Sequence, residues 1–309
     1  MDKIIGDYVG THPGPLCIAF GGTHGNEKAG VQALQVLFKM LETEPLTNPG
    51  FVFHGRLVGL LGNRKAYEAG RRFIKKDLNR SWTLERTFSL LTLPLEELDP
   101  EDLELRANLE IILALRQSAD YERMVVIDLH TTSAQGGIFS IPTEEDASLQ
   151  IAKGLHAPVI KGLLSGLKNT TLHFFNRQHF PPDTTAVSFE GGHHDDPKSV
   201  QRTIAALVNC LRTIGCVRPE DVENRHDLLL QEYAQGLPEV CELIYRHHIE
   251  PEDRFVMRPG FHNFQEVHAG QVLADDEKGP VPAPLDGLIL MPLYQKEGED
   301  GFFLVQPVE

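Results

Sequence analysis

Three apolar runs of strand length each end in polar residues, and that repeated arrangement restricts the fold more than any other feature. Leu16–Phe20 closes on Gly21-Gly22 and leads into Thr23-His24-Gly25-Asn26-Glu27. Met124–Leu129 carries Asp128 inside it and His130 at its end, and Ala186–Phe189 ends in Glu190-Gly191-Gly192. Helical patterns lie between and after these runs. Glu27–Leu41 repeats Gly30, Ala33, Leu34, Leu37, Phe38 and Leu41, with Thr23 as a candidate cap. Glu101–Gln117 and Lys198–Ile214 show comparable apolar faces, and Phe51–Leu61 reads as a further strand. Strands alternating with helices predict an α/β fold with a mixed, mostly parallel central sheet flanked by helices. All three polar pieces then sit past the C-terminal ends of strands, where open α/β sheets bind ligands.

The texture changes near Pro251. Pro259-Gly260, Gly279-Pro280, Asp286-Gly287 and Glu299-Asp300-Gly301 break up short Val, Leu and Phe runs, as in a small β-rich unit. The expected division is a catalytic α/β domain over 1–215, a helical connection over 216–250, and a β-rich C-terminal domain over 251–309 that caps the site.

Composition excludes several functions. With 41% hydrophobic residues the chain can bury a core, yet runs such as Ile111–Leu115 are far shorter than the roughly 20 residues of a membrane span. A formal net charge of −15 argues against a nucleic-acid partner, since a phosphate backbone demands a basic surface. Met1–Asp7 has no basic region followed by an apolar stretch, and the four cysteines include no Cys-x-x-Cys pair. Reduced thiols and a cytoplasmic location are expected; homo-oligomerisation is left open. Charge is uneven: 51–86 holds nine Lys or Arg against three acids, which suggests a binding place for a substrate carboxylate. The acidic stretch Glu96–Glu104 reads as surface.

His24 and Glu27 are three residues apart, near enough to share an ion, and Gly25 lets the backbone approach closely. His130 supplies a second imidazole. Two imidazoles and one carboxylate are the donor set of a catalytic zinc that keeps a position for water, and Glu190 is the separate acid such a metal needs as a general base. In 71–80, one Arg suits a developing oxyanion and an Asn-Arg pair suits a substrate carboxylate. Thr131, Thr132 and Ser133 offer hydroxyls. His193 and His194 read as a surface loop.

His24-Gly25-Asn26-Glu27, Asn63-x-x-Ala66, Arg72, Asp77-Leu78-Asn79-Arg80, Asp128-Leu129-His130-Thr131-Thr132-Ser133 and Glu190-x-Gly192 occur in this order. Together they resemble the succinylglutamate desuccinylase and aspartoacylase family, itself related to the zinc carboxypeptidases. The resemblance covers roughly 15–200 and, more loosely, the C-terminal region. It implies a zinc carboxypeptidase-like fold and one Zn2+ per chain held by His24, Glu27 and His130. Glu190 would be general base and then acid, and Arg72 would polarise the scissile carbonyl. Asn79 and Arg80 would hold the α-carboxylate, and Asp77 would orient His24. Asn63, Thr131, Tyr294 and Arg177 complete the expected substrate contacts. The reaction implied is removal of the acyl group from an N-acyl amino acid resembling N-succinylglutamate or N-acetylaspartate. A zinc carboxypeptidase acting on peptides is the nearest alternative, and a non-catalytic protein binding an amino-acid derivative is a remoter one.

Overall fold

A computed structural model describes residues 1–181, 183–222 and 225–308, with the side chain of residue 251 excepted. Its strands are β1 (Ile4–Val9), β2 (His12–Gly21), β3 (His54–Leu61), β4 (Met124–Thr132), β5 (Phe139–Pro142), β6 (Val159–Lys161), β7 (Thr184–His193) and β8 (Val240–His248). They continue as β9 (Val256–Met257), β10 (Gln265–Val267), β11 (Val272–Asp276), β12 (Gly279–Pro282), β13 (Gly287–Leu290) and β14 (Asp300–Pro307). The helices are α1 (Ala29–Thr47), α2 (Arg64–Ala69), α3 (Leu84–Ser89), α4 (Pro100–Ser118), α5 (Asp146–Gly154), α6 (Thr171–Phe174), α7 (Lys198–Thr213) and α8 (Arg225–Ala234).

An 11-stranded mixed sheet in the order β1-β3-β2-β4-β7-β5-β6-β8-β14-β13-β10 organises the molecule. Its centre, β3-β2-β4-β7, is parallel, and β5 then runs antiparallel to β7. Every residue of β4 is buried, as expected of a central strand covered on both faces. On one face α1 and α7 pack with Ala19, Leu34, Leu37, Ile127, Leu207 and Leu211 in one core. The opposite face is filled by Leu16, Phe20, Leu105, Leu109, Phe174 and Phe175 in a second core. Gly30 lets α1 lie close to the sheet: a Cβ there would meet the Leu129 Cβ at 2.9 Å.

Several expectations need correction. The region 216–250 is not simply a helical connection, because it contains α8 and then β8, an integral strand of the main sheet. The C-terminal stretch is correspondingly less separate than its composition suggests. β14, β13 and β10 extend the large sheet, and only β12-β11-β9 form a small antiparallel sheet of their own. Alternating apolar residues show that a strand exists but not which sheet edge it joins, and here the edge of β8 recruits β14.

Glu96–Glu104 is not all surface either. Glu101, Asp102 and Glu104 are buried at the start of α4. Glu101 accepts backbone N–H bonds from Ile74 at 2.7 Å, Lys75 at 3.1 Å and Lys76 at 3.4 Å. Asp102 pairs with Lys76 and Arg86, both at 2.6 Å, and Glu104 pairs with Lys3 at 2.5 Å. Much of the positive charge in 51–86 is therefore neutralised internally, and the acids fix the course of the loop that carries Arg72 and Asp77.

Candidate metal centre and active site

β2, β4 and β7 deliver their polar residues to one place, just beyond the carboxyl ends of the parallel strands. After β2 the chain makes a turn closed by a Glu27 N–H bond to the His24 carbonyl at 3.1 Å. This turn brings His24 and Glu27 together before α1 begins, so their spacing works through a turn and not through a helix. Gly25 is required here: a Cβ would lie 2.1 Å from the Ala66 carbonyl carbon and 2.3 Å from the Tyr67 nitrogen. Thr23 does not cap α1, since its hydroxyl donates to Asp128 at 2.7 Å.

The Glu27 carboxylate lies between two imidazoles. Its Oε1 is 2.8 Å from His24 Nδ1, and its Oε2 is 2.9 Å from His130 Nδ1. One donor atom from each residue falls within 4.8 Å of the others, and all three residues are buried. Each ring nitrogen facing away meets another carboxylate: His24 Nε2 is 3.2 Å from Asp77, and His130 Nε2 is 3.1 Å from Asp128. Both rings therefore present Nδ1 to the common centre, with Nε2 beside an acid, a placement that helps to orient histidine ligands of metals. The three donors could hold a metal ion, and their residues line a cavity.

Electrostatics agree with this geometry. Burial pushes the Glu27 carboxyl up, but the two imidazoles overcome it and hold the group well below the usual carboxylate range. Burial likewise opposes charge on His130, and Asp128 and Glu27 reverse that, raising it well above an ordinary histidine. Asp77 is lowered against its own burial by His24 and Arg72. Glu27, Asp77 and Asp128 are thus held as carboxylates around the two imidazoles, a negative field that a divalent cation would neutralise.

Glu190 behaves in the opposite way. Burial raises its carboxyl to about 8; His130 pulls it down, while Glu27 and Asp128 add to the rise. Its Oε2 is buried with no hydrogen-bond partner. Register places it beside His130, its pairing partner in β4. Arg72 is held by Asp77 at 3.0 Å and stands 3.7 Å from Glu27. Asn79 turns its Oδ1 to the Thr171 N–H at 2.9 Å and hydroxyl at 3.0 Å, which leaves its amide N–H2 for a ligand.

One cavity is lined by His24, Glu27, His130, Glu190, Arg72, Asn79, Arg80 and Thr131. The remaining expected contacts are not brought to it. Asn63 caps α2, accepting from Ala66 N–H at 3.2 Å and donating to Glu101 at 3.3 Å, so it shapes the neighbouring loop instead of lining the cavity. Arg177 is 70% exposed and stands 3.7 Å from Glu145, away from the cavity. The Tyr294 hydroxyl donates to the Arg258 carbonyl and accepts the Phe261 N–H, both at 2.9 Å, which ties it to the C-terminal region. Its neighbour Gln295 lines the cavity in its place and accepts from Asn26 at 3.1 Å. His194 is half-buried, not a free surface residue, with Nδ1 2.7 Å from the Thr131 hydroxyl. Only the Thr-Thr-Ser run, whose polarity is unusual at a buried strand end, hinted at such a partner.

Residues 13–214, more than half of the chain, match the family model described as the succinylglutamate desuccinylase/aspartoacylase catalytic domain. The chain belongs to this family. The family is one of N-acyl amino acid deacylases. A probable aspartoacylase from Nostoc sp. is 35% identical over 42% of this chain and 39% of its own length. The Xenopus tropicalis N-acyl-aromatic-L-amino acid amidohydrolase (carboxylate-forming) is 25% identical over 86% of each chain. The chain spans about two fifths of the length of the first curated relatives it matches, 39%, 41% and 43%. A solved succinylglutamate desuccinylase/aspartoacylase structure from Rhodobacter sphaeroides shares the fold, with a TM-score of 0.66 over 96% of this chain and 86% of that one at 18% identity. Among the described residues no helix is long and apolar enough to cross a membrane.

Proposed function

We propose that the protein hydrolyses the amide bond of a small N-acyl amino acid, with Glu190 moving the proton. The observation that carries this reading is a buried carboxyl, raised to about 8 and with an unpartnered oxygen, in the same cavity as the His24–Glu27–His130 cluster. His24 and His130 through Nδ1, with Glu27, would hold one zinc ion, which when bound supplies polarisation of the acyl carbonyl and acidification of water. Glu190 takes the proton of the attacking water and returns it to the departing amine nitrogen. Arg72, fixed by Asp77, places a guanidinium where the carbonyl oxygen becomes anionic. Asn79 and Arg80 bind the α-carboxylate, with the Asn79 amide group aimed by Thr171. Thr131 fixes the metal ligand through its backbone N–H, 3.1 Å from Glu27 Oε2.

Met291, Leu293, Gln295, Gly298, Glu299 and Asp300 belong to the cavity lining, so the C-terminal region contributes to its wall. That contribution narrows the site and supports a small substrate over an extended peptide. Purified zinc-loaded protein assayed on N-acyl amino acids and on a blocked peptide with a free carboxyl terminus tests the reading. Release of free amino acid from the former alone is expected; preferential cleavage of the peptide would overturn it.

A further inference from the structure

Beyond the metal ligands the cavity has a chemically one-sided lobe. Ile141, Leu163, Leu167, Leu172, Met291 and Phe303 line it, and Ser188 is a polar residue of the same β7 face that leads into it from Glu190. Arg72 and Arg80 are the arginines of the whole lining, which holds no lysine. Both are already matched by acids. Arg72 has Asp77 and Glu27, while Arg80 has Glu299 and Asp300, each at 3.4 Å. Glu299 and Asp300 themselves face the cavity. With both arginines so engaged, Arg80 serves a substrate anion only together with the Asn79 amide, and the described lining residues offer no second amide–guanidinium pair.

The lobe and that pair share one scaffold. Asn79 is bound by Thr171, and the residues on either side, Thr170 and Leu172, line the cavity. Asp300, the partner of Arg80, also accepts from Arg246 at 2.5 Å, and Arg246 donates to the carbonyl of Gly166, next to Leu167. Asn79 and Arg80 are thus tied to the same 163–172 stretch that supplies the leucines, which leaves those leucines within the same cavity as the substituent on the α-carbon.

We infer that the amino-acid half of the substrate bears an uncharged, apolar side chain seated in this lobe, and that N-acyl aspartates and N-acyl glutamates are discriminated against. The inference rests on the deacylase reading above. An apolar side chain gains by leaving water there. A side-chain carboxylate loses its hydration, finds no unmatched cation and meets Glu299 and Asp300.

The test is kcat/KM of the zinc-loaded protein for N-acetylleucine, N-acetylmethionine and N-acetylphenylalanine against N-acetylaspartate and N-acetylglutamate. The apolar substrates should exceed the acidic ones by on the order of 100-fold. Equal or reversed preference overturns the inference and leaves the deacylase reading standing. If no member of the panel is hydrolysed, the deacylase reading fails. The lobe is then judged by ligand-induced thermal shift: a larger shift with N-acetylleucine than with N-acetylaspartate supports it, and the reverse overturns it. Leu167→Arg, or Leu163→Arg should the first not fold, puts an unmatched cation in the lobe. Either folded variant should narrow the apolar-to-acidic ratio at least about tenfold; an unchanged ratio overturns the assignment.

Discussion

Asp128 and His130 stand two residues apart on β4, and the Oδ2 of the first lies 3.1 Å from the Nε2 of the second. Because strand side chains alternate, i and i+2 share a face, so the spacing alone makes the contact available. The contact directs His130 Nδ1 to Glu27. Asp128→Asn, which keeps the size but can turn an amide N–H2 toward the ring, should weaken zinc binding on the order of 10- to 100-fold. Competition titration against a chromophoric chelator measures this, and unchanged affinity would show that the ring is oriented by packing alone.

Protons and metal compete for the same atoms, which sets a pH dependence with a definite sign. Without metal, Asp128 and Glu27 raise His130 well above its usual range against its burial, which favours its protonated form. Binding a cation must displace that proton, so zinc affinity should tighten as pH rises and weaken as pH falls. Glu190, raised to about 8, adds to proton release because an incoming positive charge favours its ionised form. Calorimetric titration at pH 7 in buffers of different ionisation enthalpy should report net proton release. Proton uptake, or none, would contradict this picture.

Glu190→Gln separates proton transfer from metal binding. The substitution preserves shape and removes the base, so kcat should fall on the order of 100- to 10000-fold while zinc content stays near one per chain. Elemental analysis and turnover on the same sample decide it. A rate close to that of the parent protein would remove Glu190 from the reaction.

The sequence shows the site better than it shows its surroundings, for a physical reason. Metal ligands, their carboxylate partners and the general base are short-range devices: a turn, an i,i+2 pair, the end of a strand. Asp128, His130 and Glu190 are legible because each is polar in or at the end of an apolar run, and His24 and Glu27 because they stand three apart after the Gly21-Gly22 turn. What sequence hides is long-range pairing. Glu101 resembles any acid at the start of a charged helix, yet it is buried beneath the backbone of 74–76, more than twenty residues away. Arg177 illustrates the converse, because an arginine near a catalytic acid in sequence ends up exposed. Strand β8 was hidden in the same way: its mixed, half-buried pattern declares neither face, and only pairing with β6 and β14 makes it a strand.

Arg177→Ala should consequently leave kcat/KM within about twofold, as befits a surface substitution remote from the chemistry. A loss of tenfold or more in the same assay would show that Arg177 reaches the substrate.

Glu101→Gln tests whether the loop behind the site is held by charge. The carboxylate accepts three backbone N–H groups and the Asn63 side chain. An amide in its place must direct its own N–H2 at some of those donors, leaving buried groups unsatisfied at a cost of about 1–3 kcal/mol each. Denaturant unfolding should show a loss of about 2 kcal/mol or more. The same loop carries Arg72, which the proposed mechanism sets against the developing oxyanion, so its slackening should lower kcat by more than it raises KM. Zinc affinity should weaken less than kcat falls, since Glu27 and His130 are held by the turn after β2 and by β4, and only His24 leans on this loop, through Asp77. A variant that loses stability but keeps its full kcat would show that Arg72 is positioned by Asp77 without help from the buried acid.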